Sequence, residues 1–186
     1  MTLSVLHLRH TGHILAAVTV TAPVAATDVS DLCGAGLPVR LPRWSGGLSF
    51  ELPAGQLGSA SLTDDPLPVL LDRLTHGVTL APAGTPPDAP AEPPRLQRLE
   101  WGGVSSSVSD GAIRVVREYD ALLPVNVLAV VPAAPARVVT GVLPPGTAAA
   151  PEELRSVTLS VTVGAGQAVA VFVAGRVVHL PEGHVG

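Results

Sequence analysis

Short apolar stretches separated by turn residues run along the whole chain and predict β-strands. Residues 3–9 and 14–21 flank a Thr11-Gly12 turn, and this spacing is typical of a β-hairpin. In the predicted register His10 lies opposite His13 beside the turn. Both faces of the hairpin are mainly apolar, so each face needs a cover, either from the same domain or from a neighbouring subunit.

Alternating apolar and polar positions predict further strands in both halves of the chain. These predicted strands are 36–41, 48–52, 56–62, 78–80, 95–101, 104–108, 112–119, 125–131, 137–142, 156–163, 167–174 and 177–180. We expect 48–52 and 56–62 to pair as a hairpin, and the last three strands to form a meander.

Helical patterns are short in this chain. Residues 66–75 have helical spacing behind a leading proline, which predicts a short helix, and residues 151–154 predict a single helical turn. The fold class is therefore predicted to be all-β. We expect short antiparallel strands and hairpins in a sandwich or a partly open barrel, with at most one or two short helices.

A proline-rich stretch divides the chain near its middle. Residues 81–94 contain six prolines, which excludes a helix or a central strand there. We therefore predict an N-terminal β subdomain over 1–80, a stiff connector over 81–94 and a C-terminal β subdomain over 95–186. The alternative is one domain in which 81–94 forms a long surface loop.

Composition narrows the classes of function. The chain has 186 residues and no lysine, and its 11 basic residues are all arginine, which fits a GC-rich bacterial genome. The net charge is −4 and the arginines are scattered singly, so a nucleic-acid partner is not expected. Aromatic residues make up only 3%, so aromatic platforms for bases or sugars are scarce.

The N-terminal region is relevant to where the protein is located in the cell. Residues 13–27 carry no Asp, Glu, Lys or Arg, but the stretch is too short for a membrane-spanning helix, and no membrane association is expected. The same stretch resembles a signal peptide, although its alternating Val and Thr fit a strand better. Cys33 is the one cysteine, so an intrachain disulfide is excluded. We expect a cytoplasmic, assembled particle and keep secretion as the alternative.

Histidines supply the one candidate metal site. In the predicted hairpin the Cβ atoms of His10 and His13 lie about 5 Å apart, which would let both rings bind one zinc ion. The interpretation we favour is that they are two polar residues at an exposed hairpin tip. We expect His76 to bond local carbonyl groups, and Arg114 and Arg117 to be solvated or to contact a partner.

No catalytic motif is present in the sequence. There is no G-x-S-x-G motif, and the absence of lysine excludes Schiff-base chemistry and a P-loop. The paired carboxylates Asp64-Asp65 and Glu152-Glu153 are sequence neighbours, which point to opposite faces of a strand. We therefore expect a protein that is not an enzyme and has no cofactor.

The function predicted from these features is structural. High aliphatic content and a hairpin that needs cover on both faces indicate a subunit of a larger bacterial assembly, such as a phage-tail-like particle, a tube or a shell. Its partners would be other protein subunits, identical or different. The alternatives are a small β-domain that binds a ligand or a metal through His10 and His13, and an accessory domain of an enzyme.

Overall fold

The computed structural model describes residues 2–20, 28–41, 47–62, 67–80, 93–109, 111–164 and 167–180. These residues are mostly β with short helical segments, which confirms the predicted all-β class. Asp64, Asp65 and residues 81–92 of the predicted connector lie outside the described residues.

The strands on the N-terminal side of the connector are β1 (Thr2–Leu8), β2 (Ile14–Val20), β3 (Gly36–Leu41), β4 (Leu48–Pro53), β5 (Leu57–Leu62) and β6 (His76–Val78). Those on the C-terminal side are β7 (Leu96–Arg98), β8 (Val104–Ser109), β9 (Ala112–Arg117), β10 (Val125–Val131), β11 (Arg137–Leu143), β12 (Ser156–Ser160) and β13 (Ala170–Val173). The helices are α1 (Val29–Cys33) and α2 (Leu67–Leu71), with 3-10 turns at Ala54–Gln56, Arg73–Thr75 and Glu152–Leu154.

All the strand pairs are antiparallel. Three sheets have three strands, in the orders β2-β1-β5, β11-β10-β13 and β12-β9-β8. Two further pairs join β3 with β4 and β6 with β7. The β6–β7 pair links the two sides of the predicted connector.

The central strand β10 is buried on both faces. Val127, Ala129 and Val131 face a cluster built with β9, β12 and β13, whereas Leu128 and Val130 face a second cluster on the other side. Strand side chains alternate between faces, so a fully apolar strand belongs between two apolar layers.

The second cluster, which we call the middle cluster, combines both halves of the chain. Leu6 and Leu8 of β1 lie in it together with Leu128 of β10 and Phe172 of β13. The opposite face of β1 packs into a third cluster that includes Val69 of α2 and Val78 of β6. Both faces of β1 are thus covered by the same chain. The predicted division into subdomains stays a prediction.

The register of the first hairpin differs from the prediction. Leu6 lies opposite Ala16 and His7 opposite Ile14, so Leu15 is an extra residue that forms a bulge. His13 forms a bridge with Gly77 instead of pairing with His10. The predicted His10–His13 pairing is therefore wrong, because it would place His7 opposite Ala16, two residues from its observed partner Ile14.

Two predicted connectivities are also wrong, although their strands exist. β4 pairs with β3 and β5 with β1, because the 3-10 turn at Ala54–Gln56 carries the chain from one pair to the other sheet. β12 pairs with β9, and β13 pairs with β10. The last three predicted strands therefore do not form a meander. A single bridge, between Val171 and His179, joins β13 to the last described segment.

The short helices are partly as predicted. α2 and the turn at Glu152–Leu154 lie where the helical spacing placed them. α1 was not predicted, and Asp28 caps it by accepting a hydrogen bond from the Ser30 main-chain nitrogen at 3.4 Å. In the part of the chain that the structure describes, no helix is both long and apolar enough to cross a membrane.

Candidate functional site

Three loop segments meet at one end of the C-terminal sheets, and we call them the loop end: residues 100–103, 118–123 and 144–155. The main-chain nitrogen of Glu118 donates to the oxygen of Gly103 at 2.8 Å, which joins the first two segments. Ala121 and Gly146 exchange two main-chain hydrogen bonds of 2.9 and 2.8 Å, which join the second and third. The loop end is therefore held together by its own backbone.

Arg117 lies at the base of the loop end and is fully buried. It continues the inward row of Ile113 and Val115 along β9, since side chains two residues apart share a face. The prediction that Arg117 is solvated is therefore wrong, and its alternative, contact with a partner, stays a prediction. The alternation of Ile113, Val115 and Arg117 in the sequence is the signal that could have predicted the burial of Arg117.

Main-chain groups hold Arg117 in place. Its Nη1 atom donates to the oxygens of Tyr119 and Gly146, the latter at 2.9 Å. The Arg155 guanidinium donates to the Arg117 oxygen at 2.8 Å, and the Arg117 nitrogen donates to the Arg155 oxygen at 2.9 Å. These contacts fix the backbone and one side of the buried guanidinium.

The other side of this guanidinium is unsatisfied. Among the described residues, Nε and Nη2 of Arg117 have no hydrogen-bond partner, and the same holds for the buried hydroxyl of Tyr119. An arginine side chain stays protonated in proteins. The loop end therefore contains a buried positive charge with free donors.

Tyr119 lies between two arginines. The Arg176 carbon Cζ is 3.7 Å from the centre of its ring, and that of Arg117 is 5.7 Å away, which are cation–π distances. Arg176 also forms an ion pair of 2.6 Å with Glu100. Burial raises the pKa of the Tyr119 phenol above its usual value, although the Arg176 and Arg117 charges act in the opposite direction.

His13 connects this region to the first hairpin. Its Nε2 atom lies 2.7 Å from the Arg176 main-chain oxygen, and its Nδ1 lies 3.0 Å from the Thr11 hydroxyl. Burial lowers the pKa of His13 to about 4, so the ring is neutral near pH 7. A neutral ring donates from Nε2 to the carbonyl and accepts at Nδ1 from the hydroxyl.

His10 engages a different partner. Its Nε2 atom lies 3.2 Å from the main-chain oxygen of Gly141, which is in β11. Arg176 follows β13, and β11 and β13 flank β10 on opposite sides. The structure thus directs the two rings to separate carbonyl groups. Within the described residues no group of three metal-binding side chains is found, and zinc binding by His10 and His13 stays a prediction.

The remaining candidate residues have local roles. His76 Nδ1 lies 3.0 Å from the Asp72 main-chain oxygen, as predicted for this histidine. Arg114 is partly exposed and forms an ion pair of 3.2 Å with Glu152. Exposed ion pairs of this kind contribute little to stability. We therefore assign no functional role to His76 or to Arg114.

Large apolar side chains project from the loop end into solvent. Trp101 is 72% exposed, Leu122 97%, Leu123 55% and Leu154 62%. These four belong to the three hydrogen-bonded segments described above. Exposed apolar groups held in place by a backbone network are typical of contact surfaces.

Comparison with protein families, curated proteins and solved structures finds no match to this chain. The geometry of the loop end is therefore the basis for a functional proposal.

Proposed function

We propose that the protein is a non-catalytic interaction subunit that docks onto other subunits of a larger assembly through the loop end. The observation that carries this proposal is the exposure of Trp101, Leu122, Leu123 and Leu154 on loops joined by main-chain hydrogen bonds. Burying a leucine side chain contributes about 1.5–3 kcal/mol, so these residues would stabilise a contact strongly.

Preorganisation supports this use of the loop end. Leu122 and Leu123 follow Ala121, whose two hydrogen bonds with Gly146 fix the start of the exposed segment. A segment that is already ordered loses less conformational entropy when it binds. The exposed leucines would therefore act as fixed anchors.

A second exposed apolar group favours an extended assembly. Val18 is 52% exposed, Leu70 48% and Leu71 78%, and their elements β2 and α2 contact each other. A subunit of a ring, tube or shell needs two different contact surfaces. β1 of the first hairpin does not contribute to this surface, because the chain itself covers both of its faces.

Light scattering of the native protein tests the proposal. We expect the wild type to form discrete particles well above the 18.8 kDa monomer, alone or with native extract, and Leu122→Ser/Leu123→Ser to reduce their mass. The matched control is Val142→Thr, because Val142 is also exposed (42%) but lies on β11. A wild type that stays monomeric under both conditions contradicts the proposal.

A further inference from the structure

The unsatisfied side of Arg117 has a defined shape. The N–H bond of Nε and one N–H bond of Nη2 lie side by side and point the same way in the planar guanidinium. These are the two nitrogens without a partner among the described residues, whereas Nη1 is satisfied by Tyr119 and Gly146. Two parallel donors of this kind match the two oxygens of a carboxylate.

Three carboxylates of the loop end have other partners. Glu100 pairs with Arg176 at 2.6 Å and Glu152 with Arg114 at 3.2 Å. Asp120 accepts a hydrogen bond from the Ala148 main-chain nitrogen at 2.7 Å. Among the described residues no carboxylate, Glu118 and Glu153 included, forms an ion pair with Arg117.

Leaving this charge unpaired is unfavourable. A buried cation with free donors has lost its hydration without gaining a partner, which costs stability. Natural proteins retain such groups mainly where an acceptor completes them. The free pair of donors thus points to an anion from outside the described chain.

Gly146 lies directly beside the Arg117 guanidinium. Gly146 is exposed, and a Cβ atom built on it would lie 3.4 Å from Nη2 of Arg117. An exposed residue therefore lies next to the unsatisfied Nη2 atom. Gly146 also pairs with Ala121, which directly precedes the exposed Leu122.

We propose that the Nε–Nη2 pair of Arg117 binds a carboxylate, supplied by an Asp or Glu side chain of the protein that docks on the loop end. The apolar neighbours of that side chain would contact Leu122 and Leu123. The proposal rests on the proposed function, because it names the chemistry of the partner. Buried arginine contacts are frequent centres of binding energy.

The test is NMR of the Arg117 Nε–H group in full-length protein, kept dilute enough to be monomeric. The probes are two synthetic peptides, acetyl-Leu-Glu-Leu-amide and its neutral match acetyl-Leu-Gln-Leu-amide, and sodium acetate. Arg117→Lys assigns the signal, because lysine lacks the paired donors. We expect the Glu peptide to shift the signal saturably and to bind at least about tenfold more tightly than the Gln peptide or acetate.

Each other outcome overturns the proposal. No response, or an equal response to both peptides, would mean that Arg117 binds no carboxylate. Saturation by acetate at the same concentration as the Glu peptide would assign the site to free carboxylates instead of a docked protein. These results are distinguishable from failure of the proposed function, because that function is tested separately by the particle mass of Leu122→Ser/Leu123→Ser.

Discussion

The His13 Nε2 atom lies 2.7 Å from the Arg176 main-chain oxygen and connects the turn of the first hairpin to the turn after β13. Phe172 packs edge-on against the same ring, with 5.0 Å between the ring centres. The ring is therefore enclosed between two parts of the chain that are far apart in sequence. Protonation would place a charge in this apolar contact.

Acid should destabilise the fold through His13. Burial lowers its pKa from 6.5 to about 4, so between these values the unfolded chain binds a proton that the folded chain does not. The contribution of neutral His13 to the free energy of unfolding is fully present above pH 6.5. It decreases as the pH falls, and the loss reaches about 3 kcal/mol near pH 4. Below pH 4 both states are protonated and this loss stays constant.

Urea unfolding of wild type and His13→Gln between pH 7 and pH 4 measures this effect. Glutamine can still donate to the Arg176 oxygen but does not titrate, so we expect the stability difference between the two proteins to shrink toward pH 4. Carboxylates are common to both proteins and cancel in that difference. A difference that is constant with pH would show that His13 does not titrate in this way.

Gly146 should resist substitution. Its φ of +142° is one that residues with a side chain rarely adopt, so Gly146→Ala is expected to cost roughly 1–3 kcal/mol in the free energy of unfolding. Gly55→Ala is the matched control, because a Cβ there meets nothing within 4 Å. Thermal unfolding of both variants gives the comparison, and equal stabilities would contradict the prediction.

Gly141 is the point where β11 packs closely on β12. A Cβ built on Gly141 would lie 2.5 Å from Cδ2 of Leu159 and 3.1 Å from Cγ2 of Val157. Gly141→Ala should therefore destabilise the protein by about 1–3 kcal/mol through overpacking. The penalty should shrink in a Leu159→Val background, and a double-mutant cycle by denaturant unfolding measures this coupling. No coupling would mean that the two residues are not in contact.

The middle cluster predicts that both halves of the chain unfold together. Phe172→Ala should cost about 3–5 kcal/mol, and Leu52→Ala, on the other side of the connector, about 2–5 kcal/mol. Because both side chains lie in one cluster, calorimetry should show one transition that each variant lowers. Two transitions, each moved by only one variant, would indicate independent subdomains.

The positions of the strands were readable from the sequence, but their partners were not. Apolar alternation located β3 to the residue, and a continuous apolar run located β10, because a strand buried on both faces needs apolar residues on both. That pattern is local and says nothing about which strand lies alongside. β5 looked like the partner of β4 because they are neighbours in sequence, yet it pairs with β1.

The loop end could be predicted only in part. The inward row that ends at Arg117 was visible in the sequence, but arginine is almost never fully buried without a partner, so exposure was expected. The contact between His13 and Arg176 joins residues 163 positions apart, and no local pattern encodes it. The His10 and His13 rings likewise contact separate carbonyl groups, of Gly141 and Arg176, which are far from the hairpin in sequence.

The middle cluster is shared between the first hairpin and the strands β10 and β13, and this affects how the protein folds during its synthesis. The face of β1 with Leu6 and Leu8 lies against β10 and β13, which leave the ribosome long after the first hairpin. Until then the newly synthesised hairpin exposes an apolar surface and free strand edges, which are prone to aggregate. This face of the first hairpin therefore stays uncovered until β10 and β13 have been synthesised, and a chaperone that shields it during that interval should raise the yield of folded protein.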